Sequence, residues 1–293
     1  MPVLPPPTAA ARPLIADGAM GTALFAAGMA VGEAPEAWLL TPEGAAAVAG
    51  VHRGHVDAGS GLVLASTFGA NRLRIADSPA LAGRTDEICR AAVAAARAAA
   101  GPDRLVGGSM GPTGGLMIPY GLLDPGEVRA AYAAQAASLA AAGVDVIWVE
   151  TMIDLGEALA AVDGAREGAP ALPVVATMVF ANGRTMFGNR PADCASQLAE
   201  HGAAGVGANC GDGFEPVLEV LTALAAAAPG LHLVAKANAG VPVWDGEGPT
   251  TYPGTTDEAA AYARRAADAG ATIIGGCCGT TAAHIAAIAA TLG

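Results

Sequence analysis

The sequence predicts an α/β protein built as a single (β/α)8 barrel. Three observations point there. A short apolar run, a polar or glycine-rich turn and an alanine-rich helical stretch recur eight times along the chain. The runs are rich in Val, Ile and Leu and too short for buried helices, as parallel strands covered on both faces should be. The 293 residues suit one such barrel, and no linker or shift in composition divides them, so one domain is expected over 1–293. A doubly wound open sheet is the competing arrangement. It is weakened because no GxGxxG follows the first run.

The first run is PLIADGAMG from Pro13, after a proline-rich stretch, MPVLPPPTAAARP, read as a loose lead-in. That stretch lacks the basic segment and apolar segment of a secretory signal. Next comes a helical stretch containing VHRGHVDAG. His52 and His55 there are three apart and read as ordinary helix surface rather than a metal-facing pair. The second run is GLVLASTFG from Gly61, the third RLVGGSMG from Arg104 and the fourth VDVIWVETM from Val144. The fifth is LPVVATMVF from Leu172, the sixth AAGVGANCG from Ala203, the seventh LHLVAKANAG from Leu231 and the eighth ATIIGGCCG from Ala271. Intervening stretches such as PGEVRAAYAAQAASLAAAG, PADCASQLAEHG and TDEAAAYARRAADAG are long enough for crossover helices. They open on Pro or Thr and close on Gly, as helix ends do.

Composition narrows the function. Hydrophobic residues make up 53% of the chain, but much of this is alanine, which favours tightly packed helices. No run of 18 bulky apolar residues occurs, so no transmembrane helix is expected. A net charge of -12 without a Lys/Arg cluster argues against nucleic acid and anionic membranes as partners. Five cysteines in a chain of this size argue against a disulfide scaffold. Clustered cysteines then point to metal binding or catalysis in a reducing compartment, which suggests the cytoplasm. Alanine-rich outer helices suit a homo-oligomer.

The polar residues gather at the C-terminal ends of the runs. Asp17 closes the first, Ser66 and Thr67 the second, Ser109 the third, Glu150 and Thr151 the fourth, and Thr177 the fifth. Asn209 and Cys210 close the sixth, Lys236 and Asn238 the seventh, and Cys277 and Cys278 the eighth. In a barrel these ends meet at one mouth, where such enzymes keep their sites. Cys210, Cys277 and Cys278 then come from strands separated only by the seventh. Three thiolates meeting there suit zinc with one coordination position open. Spacing alone equally fits small buried residues. The glycines of GGCCG favour metal, since they permit close approach. Cys89 and Cys194 lie within helical stretches and read as core. A carboxylate such as Glu150, placed just after VDVIWV, is costly unless paired. A substrate ammonium or a structural ion pair with Arg or Lys would serve, and Asp17 has the same two readings. The glycines of GSMGPTGG read as a plain turn around Pro112 rather than a phosphate cradle.

Taken together, DGAMGT, STFGANRLR, GSMGPTG, IWVETM, VVATMVF with GRTMFG, GANCG, AKANAGVP and GGCCGTT resemble the motifs of homocysteine S-methyltransferases. They run in order over nearly the whole chain. The pattern is most similar to bacterial betaine–homocysteine methyltransferases and to the homocysteine module of cobalamin-dependent methionine synthase. The resemblance implies zinc on Cys210, Cys277 and Cys278, homocysteine as acceptor bound through its sulfur, and a small methyl donor. It implies that Asp17 and the backbone at Gly18 and Ala19 hold the amino-acid part, with Ser66 and Thr67 nearby, and that Glu150 contacts its ammonium. Asn238 matches a residue that approaches zinc when homocysteine is absent.

The departures concern the donor. Animal betaine enzymes carry a tyrosine at the position of Thr151 and an aromatic at that of Gly69, part of a cage for a quaternary ammonium. Trp38, Tyr120, Trp244 and Tyr252 are candidate substitutes. Ala282 stands where a proline usually follows GGCCGTT. Betaine, S-methylmethionine, another sulfonium and a corrinoid-bound methyl from a separate protein stay open as donors. A non-catalytic zinc- or thiol-binding barrel is the alternative reading. A zinc hydrolase is disfavoured, because such enzymes use His and carboxylate ligands.

Overall fold

The computed structural model describes residues 3–7, 12–244, 246 and 248–293. Eight parallel strands form the barrel: β1 (Leu14–Ile15), β2 (Leu62–Ala65), β3 (Leu105–Met110), β4 (Val146–Met152), β5 (Val174–Met178), β6 (Gly205–Cys210), β7 (His232–Ala237) and β8 (Ile273–Gly276). They hydrogen-bond in the order β1-β8-β7-β6-β5-β4-β3-β2. A parallel bridge between Ala16 and Leu62 joins the two ends, so the sheet nearly closes on itself. Of the lead-in before β1, residues 3–7 have no regular structure and Leu4 packs on the inner core. Residues 1, 2 and 8–11, also part of that expected lead-in, lie outside the described residues.

Two short helices that the sequence did not signal, α1 (Gly21–Ala26) and α2 (Pro35–Leu39), follow β1. The crossover helices are α3 (Pro42–Asp57), α4 (Thr85–Ala100), α5 (Pro125–Ala142), α6 (Leu155–Gly168), α7 (Pro191–Glu200), α8 (Phe214–Ala227), α9 (Thr256–Asp268) and α10 (Ala282–Leu292). Their ends follow the expected punctuation. The Asp124 side chain accepts from the N–H groups of Gly126 and Glu127 at the start of α5, and Gly143 closes that helix in the left-handed conformation. Thr255 and Glu258 form a capping box on α9. Ala282 begins α10 behind its cap, Thr281, so the helix starts without a proline. No helix among the described residues is long and apolar enough to cross a membrane.

The interior shows the two-residue period of strands. Leu62, Leu64, Leu105, Val146, Trp148, Val175, Val234 and Ile273 fill the barrel as one apolar cluster. Glycines leave room in its narrow waist: a Cβ at Gly207 would fall 2.2 Å from the Val234 carbonyl oxygen. The larger core lies between sheet and helices and includes fully buried Cys89 and Cys194, as expected.

His52 and His55 correct the sequence reading, which placed them on the helix surface. They are 0% and 2% exposed. With Val48 and Val56 they form the stripe that α3 turns toward the barrel and α10. The three-residue spacing did put them on one face, but that face is the inner one. Burial lowers the His52 pKa to about 4 and lowers that of His55, so both rings are neutral at pH 7.

Candidate active site

Continuing the strand period upward from the apolar cluster gives a second, polar layer. Above Leu64 comes Ser66; above Gly107, Ser109; above Trp148, Glu150; above Val175, Thr177; above Gly207, Asn209; above Val234, Lys236; above Gly275, Cys277. Ser66, Ser109, Glu150, Lys236 and Cys277 of this layer line a cavity of about 480 Å³ at the C-terminal mouth, with Thr177 and Asn209 outside its lining, a size suited to small substrates.

Strain holds part of this layer. The pairing of β4 with β5 slips between Val149 and Met152, and Thr151 takes φ +62°, a conformation costly for a β-branched residue. Asn209 supports it: the Thr151 N–H and the Thr177 hydroxyl donate to Asn209 Oδ1 at 2.8 and 2.7 Å, and Asn209 Nδ2 donates to Thr151 Oγ1 at 2.7 Å. Cys210, at the end of β6, has φ +64°. Two strained non-glycine residues beside one cavity are what a functional site tends to store.

The sulfurs of Cys210, Cys277 and Cys278 lie within 4.8 Å of one another. Four-coordinate zinc with bonds of about 2.3 Å needs sulfurs roughly 3.8 Å apart, so this donor set fits a metal with little adjustment. Each sulfur also has a side-chain partner. Asn238 Nδ2 stands 3.6 Å from Cys210, Asn209 Nδ2 stands 3.8 Å from Cys277, and the Tyr252 hydroxyl lies beside Cys278. Donors around each sulfur are what a thiolate set requires. Hydrogen bonds from Cys277 and Cys278 lower the pKa of the Cys210 thiol while those of the Cys277 and Cys278 thiols are raised, so the three titrate as one set. The glycines of GGCC serve backbone contact: a Cβ on Gly275 would fall 2.8 Å from the Asp17 carbonyl oxygen, and one on Gly276 would fall 2.2 Å from Thr280 Oγ1.

The two carboxylates differ. Asp17 is in the ion pair that the sequence left open: Lys236 Nζ donates to its Oδ1 at 2.6 Å and to its carbonyl oxygen at 2.9 Å. Its Oδ2 accepts from the Leu64 N–H at 2.7 Å. Both side chains are 5% exposed or less. Glu150 is in no ion pair of the described residues. It accepts from the Ser109 hydroxyl at 2.5 Å. Burial pushes its pKa up to about 7, against the opposing pull of Lys236 and Ser109.

The other expected site residues divide. Gly18, Ala19 and Ser66 line the cavity with Asp17, Glu150 and the cysteines. A Cβ on Gly18 would fall 2.7 Å from the Thr280 carbonyl oxygen and 2.9 Å from His55 Nε2, and the Ala19 N–H already donates to Thr280. Thr67 is fully buried and turns its hydroxyl to the Ser109 carbonyl at 2.7 Å, behind the wall. Asn238 sits behind Cys210 and donates to the Gly211 carbonyl. In GSMGPTGG, residues 108–110 end β3, and in the loop that follows the Thr113 N–H and hydroxyl both donate to the Glu157 carboxylate. Of the candidate aromatics, Tyr252 reaches the cysteines, whereas Tyr120 and Trp244 are 71% and 67% exposed. The residues that the sequence under-weighted are Lys236, Ser109 and Asn209. Their parity with Val234, Gly107 and Gly207 was the available signal.

The model of a family described as homocysteine S-methyltransferase matches residues 14–292. The chain belongs to the homocysteine S-methyltransferase family. Among curated relatives, methionine synthases of Mycobacterium tuberculosis and Mycobacterium leprae are each 33% identical over 96% and 97% of this chain. The chain spans about a quarter of the length of these relatives, 25% in each case. Among solved structures, a metallated form of the Escherichia coli homocysteine methyltransferase MmuM superposes with a TM-score of 0.79. It has 24% identity over 96% of both chains, which supports the fold.

Proposed function

We propose that the chain transfers a methyl group from a small betaine-like or sulfonium donor to homocysteine, giving methionine, with zinc held by Cys210, Cys277 and Cys278. The observation that carries this reading is the convergence on one cavity of three clustered sulfurs and a buried carboxylate that is in no ion pair of the described residues. Zinc at the three sulfurs would supply a deprotonated acceptor thiol at neutral pH, which a free thiol with a pKa near ~8.5 does not.

The chain's own residues do the rest. Glu150 receives the acceptor's ammonium, held in place by Ser109. Lys236 neutralises Asp17 and keeps it against the Leu64 amide, so the acceptor end carries one free carboxylate rather than two. Gly18, Ala19 and Ser66 shape that end. Thr67 and Asn238 brace it from behind. The barrel walls exclude water and align the two substrates. Attack on a methyl group releases no proton from it, so no general base is required. Reduced thiols favour the cytoplasm.

The test is metal analysis combined with methionine formation from homocysteine and S-methylmethionine, glycine betaine or dimethylsulfoniopropionate. Stoichiometric zinc with methionine from one of these supports the proposal. Zinc with no methionine leaves a binding protein, or an enzyme served by a separate methyl-corrinoid protein.

Glu150 adds a pH signature. Its ionised form binds the ammonium, and its pKa in the unliganded protein is about 7. The KM for homocysteine should therefore rise as pH falls below 7, approaching tenfold per unit. The substrate ammonium stays protonated throughout this window. Glu150→Gln should raise KM at pH 7.5 and flatten this slope. An unchanged slope in the variant would assign the dependence to the acceptor thiol instead.

A further inference from the structure

Besides Glu150, the cavity has another buried carboxylate outside any ion pair of the described residues. Glu36, on α2, is 5% exposed and lines the cavity beside Phe68 and Gly69. Its Oε1 accepts from the Gly69 N–H at 2.5 Å. A Cβ on residue 69 would fall 2.8 Å from that oxygen, so the carboxylate takes the space that any side chain there would need. Burial raises the Glu36 pKa, countered by the Gly69 N–H and the field of Arg74. Among the described residues no ion pair includes Glu36. Arg74 also lines the cavity and its charge acts on Glu36, but its guanidinium is engaged by the Phe68 ring, 5.5 Å from the centroid, and by the Pro112 carbonyl, to which it donates at 3.0 Å.

A buried carboxylate that faces a cavity with no ion-pair partner among the described residues leaves a place for a cationic ligand. We propose that Glu36 is the donor-selecting residue, and that it recognises the positive onium centre carrying the transferred methyl group. This rests on the methyl-transfer reading above and assigns a recognising residue to the onium donor named there.

In the step itself a bond forms between the homocysteine sulfur and the methyl carbon. The bond from that carbon to the donor's S⁺ or N⁺ breaks, and its electron pair goes to the leaving atom. The donor departs as a neutral-centred sulfide or amine. The positive charge beside Glu36 therefore fades as the reaction proceeds. Glu36 holds the ground state more tightly than the transition state, so it acts on donor KM and not on kcat.

Glu36→Gln tests this, because the amide oxygen still accepts from Gly69. With the onium donor that the wild type uses, donor KM should rise at least tenfold, with kcat equal or higher and homocysteine KM unchanged. The rate ratio of onium donor to methyl iodide, an uncharged methylating agent, should fall at least tenfold. Glu36→Asp keeps the charge and should restore part of the loss. It also provides the measurement if Glu36→Gln does not fold. An unchanged donor KM, or donor and homocysteine KM rising together, overturns the proposal. So does wild-type protein that methylates homocysteine with methyl iodide but with no onium donor, an outcome that leaves the acceptor reading intact. No methionine from any of these donors overturns both.

Discussion

Cys277→Ala is expected to lose stoichiometric zinc and to reduce methionine formation by more than about a thousandfold. Losing an outer hydrogen-bond partner of a metal ligand typically costs roughly 10–100-fold, and here one of three anchoring atoms is removed. The backbone should stay in place. The Cys277 N–H donates to the Ala237 carbonyl at 2.8 Å, and the Thr280 hydroxyl donates to the Cys277 carbonyl at 2.6 Å. Neither bond needs the sulfur. The variant should therefore fold, and its defect should appear in metal content and activity together. Cys210→Ala and Cys278→Ala should behave alike. Cys89→Ala, in the helix layer, fully buried and outside the cavity lining, should keep metal and activity and lose only about 1 kcal/mol of stability. Full metal and full activity in any of the three ligand variants would refute the site.

Lys236→Met should be the most destabilising single change in the barrel interior. Methionine matches the length of the lysine stem but leaves the Asp17 carboxylate buried with only the Leu64 amide to accept from. Removing one partner of a buried ion pair costs about 3–5 kcal/mol, because the other charge is left uncompensated. Denaturant melts with and without Asp17→Asn would measure it. The double variant should recover part of the loss, since the amide no longer needs a cation. If Lys236→Met alone were neutral, the pair would not be holding β1 to β7. Glu150 supplies a second readout. Lys236 opposes the burial that raises the Glu150 pKa, so the variant should move the homocysteine pH profile upward.

Much of the site was legible in the chain. The parse into eight runs set Cys210, Cys277 and Cys278 at one mouth, and the fold placed their sulfurs together. Asp17, Ser66 and Glu150 were placed at that mouth by the same argument, and all three line the cavity. Partners were harder to read. Asp17 and Lys236 are 219 positions apart, and no spacing rule links residues across a closed barrel. The two histidines of α3 were misplaced because polarity was taken as exposure, although their spacing from Val48 and Val56 already marked the inner face. Glu36 went unnoticed because it sits on a short helix in a loop, outside the recurring unit.

The division has a physical basis. Strand alternation and the repeated strand–turn–helix unit are local, so the sequence by itself determined the barrel, the inward-facing residues and the end at which the polar layer gathers. Charge state, strain and pairing depend on what lies within a few ångströms across the cavity. Only the tertiary structure decided that Asp17 is paired with Lys236, that Glu150 has no ion-pair partner among the described residues, that Thr151 is strained and held by Asn209, and that Glu36 fills the space at Gly69. Burial and Coulomb interactions act through space rather than along the chain.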